Sequence, residues 1–216
     1  MSTTQRPQRS DAARNRQRLL SAAVDVFAER GLDAGVAEIA ARAQIGRATL
    51  FRNFPTKQDL IAAVVVEKML RAVADGRRLL ADEEGRGTAV FAFLKEIVHR
   101  QQRERALFEA IADQFLSHAD IRAVQTDLLA LLDDLLDDGR RAGTVRPEVG
   151  AVDVMLLIKG VCSAASELGG SPELLERHLA LITAAISTPE HAVPLTGRTP
   201  TVADMSAAHS AARSGS

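Results

Sequence analysis

The sequence predicts an all-α protein: an N-terminal three-helix domain of helix-turn-helix type, then a larger helical regulatory and dimerisation domain. Three observations carry that expectation. Apolar residues recur at the three- and four-residue spacing of a helical face along most of the chain, and strand-period alternation is absent. Gly or Pro falls where one periodic stretch hands over to the next. A length of 216 residues suffices for a small module joined to a bigger one, and 46% apolar with 25% charged residues is ordinary for a chain that buries a core.

The first helix is expected from Arg14 to Arg30, where Leu20, Ala23, Val24 and Phe27 form one stripe and Gly31 supplies the stop. Residues 1–13 before it read as a flexible basic arm, whose Arg6 and Arg9 can reach a minor groove or phosphates. Two short helices follow, Val36 to Ala43 and Arg47 to Phe54, separated by Gln44-Ile45-Gly46. Pro55-Thr56 ends the second, and Thr56 is placed to cap a fourth helix that starts near Lys57 and continues to about residue 82. The charged, Gly-containing stretch from Asp82 to Gly87 reads as a linker.

Beyond the linker the pattern predicts helices of roughly Thr88 to Arg103, Arg105 to Ser117, Asp120 to Arg141, Val152 to Leu168 and Pro172 to Ser187. From Thr188 onward Pro, Thr, Ser, Ala and Gly dominate, as in a disordered tail spanning 188–216. The expected domains are therefore 14–66 and 83–187. Asp133, Asp134, Asp137 and Asp138 interleave with Leu131, Leu132, Leu135 and Leu136, the pattern of a solvated helix edge rather than a cation site.

Composition excludes several classes. The single Cys162 rules out an internal disulfide framework and a multi-cysteine zinc site, which suits a reducing compartment such as the cytoplasm. His99, His118 and His178 have no partner at metal-ligand spacing, so neither metal nor cofactor is expected. No apolar run approaches the roughly 18 residues of a membrane span, and the start lacks the apolar stretch of a secretory signal, so a soluble protein without a membrane partner is expected. The net charge of −1 hides an asymmetry: between Met1 and Lys57 ten Lys or Arg stand against five acids, leaving a net −6 for the remainder. A basic segment on an acidic chain orients its approach to polyphosphate.

The stretch Arg47 to Phe54 suits groove reading. Eight residues span roughly 12 Å, comparable to the major groove, with Leu50 and Phe54 turned toward Ile39, Ala40, Ala43 and Ile45. Ala48, Thr49, Arg52 and Asn53 are expected to face outward. Arg52 can donate two hydrogen bonds to a guanine edge, Asn53 can pair with adenine, and Ala48 can meet a thymine methyl. Thr49 and Lys57 suit phosphate oxygens, and Arg47 can serve either purpose.

The run Val36-Ala37-Glu38-Ile39-Ala40-Ala41-Arg42-Ala43, then Ile45, Thr49-Leu50-Phe51 and Phe54-Pro55-Thr56-Lys57 with Asp59-Leu60, resembles the DNA-binding domain of the tetracycline-repressor (TetR) family. The resemblance covers roughly Arg14 to Val66, including Phe27-Ala28-Glu29-Arg30-Gly31. Beyond it the chain is similar only as a helical domain of the expected size. Three departures stand out. Gln44 occupies a turn position where the family usually has Gly, and a left-handed non-Gly residue costs on the order of 1 kcal/mol. Gly35 and Gly46 stand where a Ser or Thr cap is common. Phe51, at a DNA-contacting position, replaces the usual Tyr and cannot offer that hydroxyl to a phosphate.

The last two helices each carry an apolar stripe. Val154, Leu157, Ile158 and Val161 on one and Leu175, Leu179, Ile182 and Ile186 on the other are the expected dimer contacts. The resemblance implies that such helices pair across a two-fold, placing two reading heads about 34 Å apart on a palindromic double-stranded operator. It also implies a cavity for a small-molecule effector, with Phe91, Phe93, Phe108, Phe115, Met155 and Cys162 as candidate walls and His99, Gln114 and His118 as polar contacts. Those walls favour a mainly apolar effector.

The function expected is a sequence-specific transcriptional regulator, a repressor released by that effector. The alternatives are a helical enzyme and a protein-binding adaptor. No Gly-rich phosphate loop, nucleophile elbow or paired catalytic motif is present, so no catalytic residue is nominated.

Overall fold

The computed structural model describes residues 6–103, 118–167 and 171–191, with side chains over 11–100, 118–161 and 171–191. Eight α-helices occur among them: α1 (Arg6–Arg30), α2 (Val36–Arg42), α3 (Arg47–Asn53), α4 (Lys57–Ala81), α5 (Ala89–Arg103), α6 (Ala119–Arg141), α7 (Ala151–Glu167) and α8 (Pro172–Ile186). No strand is found among the described residues, only an isolated bridge between Val145 and Ser187. No described helix is long and apolar enough to cross a membrane. The helix expected over residues 105–117 and the tail from residue 192 lie outside the described residues, while Pro189–His191 form a short 3-10 turn.

Helix α1 begins at Arg6, eight residues before the expected start. Pro7 lies in the first turn, where a missing N–H is no loss, and no Gly or further Pro interrupts the following residues up to Gly31. The arm expected over 1–13 is therefore helical from residue 6 onward.

The chain divides into two compact units, Met1–Met69 with Ala106–Val124, and Leu70–Arg105 with Gln125–Ser216. The core of the first combines Leu19, Ala23, Val26 and Phe27 of α1 with Ile39 and Ala40 of α2, Leu50 and Phe54 around α3, and Leu60, Val64 and Val65 of α4. Ile121 joins it from α6. Nothing local in a helix reveals which distant core its apolar residues will enter.

In the second unit Phe93, Leu94, Leu132, Leu135, Val154, Leu175 and Ile182 form the centre. Gly76 allows α4 close to its neighbours, since a Cβ there would fall 2.5 Å from Leu131 Cδ2 and 3.0 Å from Phe93 Cε2. Arg100 of α5 pairs with Asp75 of α4 and with Glu96, and its hydrogen bond holds the Asp75 carboxyl below its ordinary range against the upward push of burial.

The linker region is not slack. Gly87, at φ 79°, donates its N–H to Asp138 Oδ2 at 2.6 Å, and Thr144 Oγ1 donates to the Gly87 carbonyl. This corrects the reading of the aspartate run: Asp133, Asp134 and Asp137 are exposed, but Asp138 is buried. A carboxylate accepting a main-chain N–H at short range is the arrangement that makes such burial tolerable.

The turn between α2 and α3 sets the geometry of the first unit. Ala43 caps α2, Gln44 N–H donates to the Ala41 carbonyl at 3.0 Å, and Ile45 N–H donates to the Ala40 carbonyl at 2.9 Å. These are the two bonds of a Schellman closure, which requires a left-handed residue between them. Gln44 fills that place at φ 54°, the one non-glycine residue with positive φ among the described residues. Because the Gln44 side chain is exposed and anchors no core contact, Gln44→Gly is expected to raise stability by about 1 kcal/mol through relief of this strain. Urea unfolding of the two proteins measures it, and an unchanged or lower midpoint would show that the glutamine conformation carries no net strain.

Candidate nucleic-acid interface

Helix α3 has only seven residues, about 10 Å of helix, and it is held from one side. Leu50 and Phe54, each 1% exposed, enter the core of the first unit. Gly46 caps its start without a side-chain hydrogen bond, and Phe54 N–H closes its end on the Leu50 carbonyl at 2.8 Å. Pro55 then blocks continuation. Thr56 and Asp59 start α4 as a reciprocal capping pair: Asp59 N–H donates to Thr56 Oγ1 at 3.1 Å, and Thr56 N–H donates to Asp59 Oδ2 at 2.9 Å.

With the inner edge fixed, rotation of about 100° per residue orders the outer face as Arg47, Phe51, Ala48 and Arg52. All four are exposed. Thr49 and Asn53 lie on the flank and are half-buried, which corrects the expectation that both face outward. Asn53 Nδ2 donates to the Thr49 carbonyl at 2.7 Å, so this amide ties down the last turn of α3 instead of standing free for adenine. Arg52 Nη2 lies 3.3 Å from Thr49 Oγ1 and leaves the remaining guanidinium donors free. Lys57 is half-buried at the start of α4.

Electrostatics narrow the basic segment further. Arg14 pairs with Asp11, Arg30 with Glu38, and Arg42 with both oxygens of Glu29 at 2.9 and 2.7 Å. That fork holds the Glu29 carboxyl below its usual range. Arg18 Nη2 donates to the Ala43 carbonyl at 2.7 Å, bracing the end of α2, and the Arg16 guanidinium stacks 4.5 Å from the Phe54 ring centroid. Arg47, Arg52 and Lys57 have no acidic partner among the described residues. Arg47 and Arg52, exposed on α3, and Lys57 at the start of α4 thus carry positive charge that no ion pair among the described residues offsets. The roles of Arg16 and Arg18 were invisible to sequence reading, because their partners lie tens of residues away.

A short rod with two exposed guanidinium groups, a methyl and an aromatic ring has the donors and apolar contacts that the edges of base pairs accept. It has no nucleophile and base in hydrogen-bond reach. Among the described residues no group of three His, Cys, Asp or Glu could hold a metal.

The other candidate residues fall in both units. Phe93 is 1% exposed and belongs to the centre of the core, while Phe91 and Met155 are half-buried and pack against it. Gln125 Nε2 approaches Met155 Sδ at 3.9 Å. Phe108, Phe115 and Gln114 lie outside the described residues, as does the side chain of Cys162. His99 meets Glu176 at 2.8 Å, and His118 lies 4.0 Å from Asp120.

Of the expected dimer contacts, Val154, Val161, Leu175, Leu179, Ile182 and Ile186 are largely buried within the unit itself. Ile158 is half-buried and Leu157 is exposed. Among the described residues, the large apolar side chains that α7 and α8 expose are Val152, Leu156, Leu157 and Leu181. Periodicity located the helices and their stripes, and most of the expected contact residues lie on the side that packs into the unit's own core. Beside the outward one runs an open groove lined by Asp153, Leu156, Leu157, Gly160, Val161 and His178.

Comparison with known proteins finds matches for both the N-terminal and the C-terminal part of the chain. Residues 19–64 match the family model for bacterial regulatory proteins of the tetR family, and residues 86–186 match the C-terminal domain of SbtR-like transcriptional regulators. A TetR transcription regulatory protein from Mycobacterium vanbaalenii, known as a crystal structure, is 35% identical with a TM-score of 0.65, over 84% of this chain and 100% of that one. The HTH-type transcriptional activator FasR of Mycolicibacterium smegmatis is 37% identical over 99 residues, 44% of this chain and 45% of FasR. The HTH-type transcriptional regulator LuxR of Vibrio harveyi is 41% identical over 66 residues, 30% of this chain and 32% of LuxR. The matched stretches thus span less than half the length of these curated relatives.

Proposed function

Because the chain belongs to the TetR family of DNA-binding transcriptional regulators, and not to a family of enzymes, we propose that α3 reads a palindromic operator from the major groove, with two copies of the chain gripping one duplex. The observation that carries this reading is the coincidence on one short helix of an anchored inner edge and an unpaired cationic outer edge. Arg52 reads a guanine edge, Arg47 reads a base or a phosphate, and Ala48 allows close approach. Thr49 and Lys57 fix position on phosphates. Asn53 contributes by shaping the end of the helix.

The second copy docks through the exposed Val152, Leu156, Leu157 and Leu181. Four large apolar side chains on neighbouring helices are a costly surface for a monomer, and a two-fold axis lets one such patch cover another. The resulting pair sets two α3 helices about one DNA turn, roughly 34 Å, apart. We read the regulator as a repressor released by a small, mainly apolar effector held in the second unit, supported by its largely aliphatic interior, to which Phe91, Phe93 and Met155 add. Release requires the effector to bind the DNA-incompetent state more tightly. The name of FasR favours activation as the second reading. Transcription in vitro, with and without the protein on its selected operator, separates the two.

Selection of bound sites from random DNA by the full-length chain supplies the operator. Binding to it is expected to weaken steeply with salt as counterions are released. On that operator Arg52→Ala loses discrimination at one base pair per half-site by about 1 to 3 kcal/mol, whereas Lys57→Ala weakens all sequences alike. Equal losses for Arg52→Ala on operator and random DNA would refute its base-reading role. Leu156→Glu, at a side chain 59% exposed, is expected to leave the melting temperature nearly unchanged while sedimentation shows a monomer and operator binding falls. A dimer that persists in this variant would place the interface elsewhere.

A further inference from the structure

We infer that Phe51 reads the C5-methyl group of a thymine in each half-site. This rests on the proposed placement of α3 in the major groove and names what one further residue does there. Phe27, Phe54 and Phe93 are each 1% exposed, whereas Phe51 leaves 40% of its surface in solvent. It is not among the core residues of the first unit, which already holds α3 through Leu50 and Phe54. On the helix it falls between Arg47 and Ala48, in the middle of the exposed arc rather than at its rim.

A phenyl ring has neither donor nor acceptor, so it can satisfy no polar atom on a base edge and no phosphate oxygen. In the major groove the hydrocarbon feature that base pairs present is the thymine methyl, and burying it against the ring removes apolar surface of both partners from water. The flanking Arg47 and Arg52 supply the hydrogen bonds that a ring lacks, so a methyl-bearing base beside a guanine is the recognition element that this face fits.

The test uses the full-length protein and its selected operator, with each thymine replaced in turn by uracil, which lacks only that methyl. Wild-type protein is expected to lose about fourfold in affinity per half-site at one thymine position, the worth of one buried methyl group. Phe51→Ala is expected to bind the thymine and uracil operators equally. Absence of any uracil-sensitive thymine for the wild type would overturn the inference. So would a Phe51→Ala protein that keeps the sensitivity, or one that loses affinity in parallel without any uracil effect in the wild type, the mark of a ring packed on deoxyribose. Failure of the selection to enrich any sequence would instead reject the reading of α3 as a base-reading helix.

Discussion

Everything at the interface depends on the burial of Leu50 and Phe54. A seven-residue helix has too few internal hydrogen bonds to persist in water by itself. Its existence is therefore a tertiary fact: two side chains in the core of α1, α2 and α4 outweigh the entropy of ordering about two turns. That anchoring also settles which side chains face away. With the angles of Leu50 and Phe54 fixed, Arg47, Phe51, Ala48 and Arg52 have nowhere to point except solvent or a duplex.

Two further features sharpen this arrangement. The Schellman closure at Gln44 lets α2 end and the chain reverse within three residues, so that Ile45 can pack back against the core before α3 starts. The arginines around that turn are then consumed in holding it: Arg18 on the Ala43 carbonyl, Arg42 on Glu29, Arg30 on Glu38 and Arg16 on the face of Phe54. Formal charge along the segment thereby separates into a scaffold share and a small free share. Only the second can be exchanged for phosphate or base contacts without disturbing the fold.

The helical class, the break at Pro55 and most helix limits were legible because they follow from local periodicity and punctuation. Thr56 was legible as a cap for the same reason, and the structure supplies its hydrogen bonds with Asp59. What escaped was decided at a distance. Asn53 is polar and suits adenine in isolation, but the Thr49 carbonyl one turn back claims its amide. Asp138 reads like its exposed neighbours until Gly87, 51 residues earlier, is found donating to it. Val154 and Ile182 belong to genuine apolar stripes, yet a stripe does not say whether it meets its own core or a second copy. Phe51 was legible as a substitution within a family pattern, while its central place on the outer arc required the helix to be anchored first.

Whether the outer arc of α3 enters the major groove is read out by chemical protection of the selected operator. Dimethyl sulfate methylates guanine N7 in the major groove and adenine N3 in the minor groove, so one reagent reports on both faces of the duplex. Entry of that arc into the major groove gives guanine N7 protection by the full-length protein at one position per half-site, spaced about one helical turn apart, with that protection lost in Arg52→Ala. Protection confined to adenine N3, or guanine protection indifferent to Arg52, would contradict it.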